Sequence, residues 1–134
     1  MPRQHRRATA AATVLLTLAS TPLAAEAPVT RSETRGTWAH EAIACGDPRS
    51  DGRIAIREKE IAFFASSCKI MHVHLQSKSA WVGDFRCEES GEFQDARIEL
   101  WTPGVDPDPN RLNLRVDRGA WRALVRCPRD VPVR

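Results

Sequence analysis

The chain of 134 residues lacks an apolar run long enough to cross a bilayer as a helix. Its longest, residues 8–19, falls well short of the roughly 20 residues a span requires. No C-x-x-C pair occurs, so the four cysteines lack the spacing of a structural zinc site. No G-x-S-x-G elbow occurs either, and Ser66-Ser67 beside Cys68 comes with no paired histidine–acid pattern. Glu88, Glu89 and Glu92 read as solvated charge near a turn rather than as paired catalytic carboxylates. There is no internal repeat. These absences argue against a helical membrane protein and a nucleophilic hydrolase, and the expectation is a non-enzymatic protein with no cofactor.

The first residues set the context for the rest. Arg3, Arg6 and Arg7, with no acid among them, precede the apolar run; Pro22 then breaks it and small residues follow. That order is the signature of a secretory signal peptide, expected over residues 1–25 with cleavage after Ala25, or after Ala27 where Ala25-x-Ala27 fits the cleavage preference. Arg6-Arg7 is followed by Ala8-Thr9-Ala10, which does not support a twin-arginine signal. The leader carries three of the 20 basic residues and none of the 17 acids, so what remains balances at 17 of each. The basic isoelectric point belongs mostly to the leader and gives no footing to a nucleic-acid partner. The expected protein is periplasmic or secreted, with no transmembrane anchor after cleavage.

All four cysteines lie beyond the leader. An even count in an exported chain reads as disulfides. Of the three pairings open to four cysteines, Cys68–Cys87 closes a local hairpin and Cys45–Cys127 ties the start of the domain to its end; these two are favoured.

Residues 26–35 are polar with one proline and are expected to form a flexible tail ahead of a single domain over 36–134. In that domain apolar residues alternate: Ile54/Ile56, Ile61/Phe63, Met71/Val73/Leu75, Trp81/Gly83/Phe85/Cys87, Ala96/Ile98/Leu100, Leu112/Leu114/Val116 and Trp121/Ala123/Val125/Cys127. Period two, repeated, predicts half-buried antiparallel strands. Turn residues separate the runs at Asp51-Gly52, Ser77-Lys78-Ser79, Glu89-Ser90-Gly91, Thr102-Pro103-Gly104 and Asp117-Arg118-Gly119. The fold class is all-β, a small antiparallel barrel of about eight short strands with two disulfides. Residues 55–69, rich in Ala, Glu and Lys, remain open to a helix. The strand register around 68–87 also stays open. A turn at residues 77–80 sets Cys68 opposite Cys87, yet sends Met71, Val73 and Leu75 to the face away from Phe85, so either both faces are covered or a β-bulge intervenes.

Charge is segregated along the chain. Between Gly83 and Asp108 there are eight acids against Arg86 and Arg97; from Arg111 onward seven arginines stand against Asp117 and Asp130. Cross-strand pairing accounts for this, and an arginine-rich recognition face formed by Arg115, Arg122 and Arg126 is the functional alternative. His72-Val73-His74 sets two imidazoles on one face of a strand, about 7 Å apart. His72 and His74 are therefore candidate zinc or copper ligands, with His40 or an acid as a third. The run Asp106-Pro107-Asp108-Pro109-Asn110 opens like a calcium loop, but Arg111 stands where Gly is needed and Asp117 where Glu is needed.

Gly36-Thr37-Trp38 opens the β region and resembles the first strand of lipocalin and calycin barrels. The resemblance implies that Trp38 packs at a closed end against an arginine of the last strand, here Arg122 or Arg126. The chain is also similar to small exported proteins of unknown function in Gram-negative bacteria. It is short for a lipocalin: eight strands sharing about 95 residues can each hold only about 6–8, and so small a barrel is filled by its own side chains. The expected function is therefore recognition of another envelope or secreted protein, as an inhibitor-like or envelope accessory module. The alternatives are a carrier of a small apolar ligand and a weak metal binder.

Overall fold

The computed structural model describes residues 19–20, 26–104, 106 and 108–129. The expected leader lies outside the described residues apart from positions 19 and 20. The described residues form a closed antiparallel barrel in which each strand pairs with the next and the last with the first. The strands are β1 (Gly36–Ala39), β2 (Arg53–Ile56), β3 (Glu60–Ala62), β4 (Ser67–Gln76), β5 (Ala80–Glu89), β6 (Glu92–Trp101), β7 (Arg111–Val116) and β8 (Arg122–Arg126). The segment left open to a helix forms β2, β3 and the start of β4, because Ile54, Ile56 and Ile61 all point into the barrel. Lengths are less even than expected: β4, β5 and β6 have ten residues each, and β3 only three.

Alternation decides the core. Ile54, Ile56, Ile61, Cys68, Ile70, Trp81, Phe85, Cys87, Ile98, Leu100, Leu112, Leu114 and Leu124 join Trp38 in one buried cluster. The indole of Trp81 lies across Gly83, where a Cβ would sit 2.5 Å from the ring, so glycine there admits one of the core's two tryptophans.

Two bulges resolve the β4–β5 register. Cys68 faces Cys87 and Ile70 faces Phe85, but shifts follow between Ile70 and His72 and between Val73 and Leu75. Each shift inserts a residue, first Met71 and then His74. Val73 thereby packs against the core, whereas Met71 and Leu75, expected on an apolar face with it, stand in solvent.

The barrel closes on a short seam. Only Trp38–Arg126 and Ala39–Val125 are in register between β1 and β8, and the Cys127 N–H extends the seam by donating to the Thr37 carbonyl at 2.8 Å. Both favoured disulfides form, Cys45–Cys127 and Cys68–Cys87. The first fastens the short 3₁₀ turn Ala42–Gly46 to the end of β8, with Ala39 and Ala44 buried alongside it. The second joins β4 to β5 directly. Two disulfides indicate an oxidising, non-cytoplasmic compartment. Among the described residues no helix is long and apolar enough to cross a membrane.

Arg126 closes one end. Its guanidinium lies 4.2 Å from the centre of the Trp38 ring and donates to the carbonyls of Pro109, Arg35 and Glu33 at 2.9, 2.8 and 2.6 Å. Gly36 makes room: a Cβ there would meet Arg126 at 2.9 Å, and its φ of +136° suits glycine alone. The Trp38 Nε1–H donates to the Thr34 carbonyl at 2.7 Å.

Residues 30–35, within the segment expected as a tail, contact the barrel. Thr30 and Thr34 are buried, and the Thr30 N–H donates to the Glu58 carbonyl at 2.8 Å. Arg31 donates to the carbonyls of Ser77 and Lys78. This segment is held by polar contacts to turn carbonyls, which leave no hydrophobic periodicity to read.

Two outcomes follow for urea unfolding. Arg126→Ala leaves three carbonyls without their donor and uncovers Trp38, and should cost about 2–4 kcal/mol. Loop closure grows with length, and the two bridges have sequence separations of 82 and 19. Replacing Cys45 and Cys127 by alanine should therefore destabilise by about 1 kcal/mol more than replacing Cys68 and Cys87. Equal losses would count against the entropic account.

Candidate functional site

The bulge at His74 carries a polar cluster on the outer wall. The ring centres of His72 and His74 lie 4.6 Å apart, with His74 the residue inserted at the second register shift. His72 is in register with Asp84 on β5, and Asp84 with Arg97 on β6. Ligand atoms of His72, His74 and Asp84 all lie within 4.8 Å of one another. The third member is therefore Asp84. His40, the alternative, instead lies 3.3 Å from Glu41.

Arg97 completes the cluster. Its Nε donates to Asp84 Oδ1 at 3.0 Å, its Nη2 lies 3.0 Å from His74 Nε2, and that same nitrogen meets Asp84 Oδ2. The hydrogen bond from Arg97, and next that from His74, hold the Asp84 carboxyl below its ordinary 3.8. The site opens on a groove of about 870 Å³ lined by Met71, His72, Asp84, Arg97 and Arg118, among others.

The segregated charge is used in cross-strand pairs. Besides Asp84–Arg97, Arg86 lies 3.7 Å from Asp95, and Arg115 pairs with Glu99. Arg115 also stands 4.5 Å over the ring of Trp121. Trp121 in turn lies 6.3 Å from Trp101, and the two rings are 45% and 42% exposed.

Arg115, Arg122 and Arg126 do not form one recognition face. Arg115 is on the outer wall. Arg122 lines an indentation of about 280 Å³ at the mouth of the barrel, beside Phe63, Ala96 and the Cys68–Cys87 bridge. Arg126 is bound into the closed end. The reason is β-geometry: Arg122 and Arg126 share the face of Leu124, which points inward, whereas Arg115 alternates with the buried Leu114. The Trp101–Trp121 pair carries no signal in sequence spacing; cross-strand arrangement sets the two rings side by side outside.

No protein family, curated protein or solved structure matches this chain.

The Asp84 pairing has a pH signature. With its folded pKa depressed, Asp84 contributes stability above the ordinary 3.8 and loses it as the pH falls through the lowered value. The melting-temperature gap between the native chain and Asp84→Asn should be widest at neutral pH and shrink once the pH drops below 3.8. A gap that ignores pH would sink the assignment.

Proposed function

We propose that the protein is an exported, non-enzymatic binding module, periplasmic or secreted, that recognises another envelope or secreted protein through the outer wall of β6 to β8. The observation that carries this reading is the half-exposed Trp101–Trp121 pair with Arg115 stacked on it. Tryptophan and arginine supply much of the energy at protein interfaces. Two large rings left in water cost the isolated chain hydrophobic stabilisation, which burial against a partner restores. Asn113, in register with Trp101 on β7, sits in the same patch. The even charge balance beyond the leader weighs against a nucleic-acid partner.

The carrier reading draws support from Gly36, Trp38 and Arg126, whose arrangement agrees with what a calycin-like resemblance implies. The occupied interior weighs against it. Trp38, Trp81 and Phe85 fill the barrel with the aliphatic residues, and the indentation at the mouth, about 280 Å³, falls just below the usual range of small-molecule pockets, which begins near 300 Å³.

A photo-crosslinking residue at Asn113 tests the proposal in the envelope and secreted fractions of the producing cell. A discrete crosslinked partner is expected, and it should vanish when Trp101 and Trp121 are both alanine. Absence of a crosslink, or one that survives the double substitution, would defeat the reading. Stoichiometric uptake of an apolar fluorescent probe would favour the carrier instead.

A further inference from the structure

We infer that His72, His74 and Asp84 form a binding site for a divalent late transition metal, copper(II) or zinc(II), and that Arg97 occupies the cation's place when no metal is bound. The inference is independent of the partner-binding reading, which rests on a different cluster.

The donor set comes first. Two imidazoles and a carboxylate are the ligands that suit zinc and copper. Their ligand atoms fall within 4.8 Å of one another, a span that one ion bonded at about 2.0–2.2 Å to each can bridge with small side-chain adjustments. The ligands stand on two neighbouring strands of a closed barrel, so their backbones are fixed by the β4–β5 ladder. The side chains themselves are exposed or half-exposed and reach solvent, leaving room for water to complete the coordination.

Arg97 supplies the second argument. His74 Nε2 and the Asp84 carboxylate meet directly, and Arg97 lies against both. The guanidinium reaches Asp84 Oδ1 and His74 Nε2 at 3.0 Å each, so a positive charge already stands beside two of the three ligands. Its side chain is about half exposed, at 52%, and can swing into solvent when a metal ion arrives. Metal binding is then an exchange of cations on a preformed anionic and imidazole face, with Arg97 as competitor.

The bulge is the third. The inserted His74 stands with its ring centre 4.6 Å from that of His72. Bulges recur where a side chain must be re-aimed, and this one aims His74 at Asp84.

Titration of the folded protein with copper(II) and zinc(II) chlorides tests the site, followed by calorimetry and, for copper, by nitrogen hyperfine coupling in the electron paramagnetic resonance spectrum. One ion per chain is expected, with coupling to two imidazole nitrogens. His72→Ala, His74→Ala and Asp84→Asn should each weaken binding by at least about tenfold. Arg97→Gln should tighten it several-fold, and His40→Ala should leave it unchanged. All five positions are on the surface, so melting curves will show whether each variant is folded. The inference is overturned if no ion binds stoichiometrically, if the His74 variant binds as well as the His40 variant, or if Arg97→Gln weakens binding.

Discussion

The barrel depends on how β1 meets β8. Seven of the eight strand junctions join strands adjacent in sequence, where a turn or loop brings the partners together. The eighth has no such help and must close a loop spanning most of the domain, at an entropic cost that grows with loop length. Its ladder is only two residue pairs in register. The chain reinforces it from both faces. Outside, Cys45–Cys127 bolts a 3₁₀ turn across the seam. Inside, Arg126 lies on Trp38 and gathers three carbonyls from two distant segments. Because two of those carbonyls belong to Glu33 and Arg35, the same arginine draws the segment before β1 over the closed end. Gly36 has no side chain to obstruct it.

The opposite side of the barrel has surplus rather than scarcity. The long β4–β5–β6 ribbon carries more residues than the other strands, and its two bulges accommodate the difference by bending β4 over a core already filled by Trp81 and Phe85. Bending re-aims side chains. Met71, His72, His74 and Leu75 all become exposed, although a strict alternation would have buried half of them. The candidate metal ligands are therefore a consequence of packing: fitting a ten-residue strand around two large rings leaves an extra histidine on the outside.

Much of the fold was legible because period two is a direct readout of sheet burial. Ile98, Leu100, Leu112 and Leu114 mark their strands, and an even cysteine count made the bridges foreseeable. Three things were not legible, each for a definite reason. The docking of residues 30–35 rests on threonine hydroxyls, arginines and backbone carbonyls, which carry no periodic signal. The bulges in β4 depend on how β4 and β5 accommodate each other, with Trp81 lying over Gly83 and a β4 carbonyl close behind it, which is a three-dimensional condition. The division of the arginines follows from strand direction: Arg122 and Arg126 point into the barrel at opposite ends, while Arg115 points out. Of the candidate site, His72 and His74 could be named from sequence, but Asp84 and Arg97 became their neighbours only through the register of two ladders.

The interior of the barrel is filled. Eight strands whose inward positions hold two tryptophans, a phenylalanine and a dozen aliphatic or cysteine side chains have little interior to offer a ligand. What the ladder geometry does offer is a wall on which residues far apart in sequence are set in rows at fixed spacing. One row runs from the histidines of β4 through Asp84 to Arg97; the next runs from Glu99 through Arg115 to Trp121. Arg97 and Glu99 stand two residues apart on one face of β6, so the rows adjoin. Each row couples charge to an aromatic or imidazole surface, and both are held by a scaffold whose closure is secured elsewhere. Substitutions on this wall therefore leave untouched the contacts of Arg126, Trp38 and Cys45–Cys127 that hold the barrel shut.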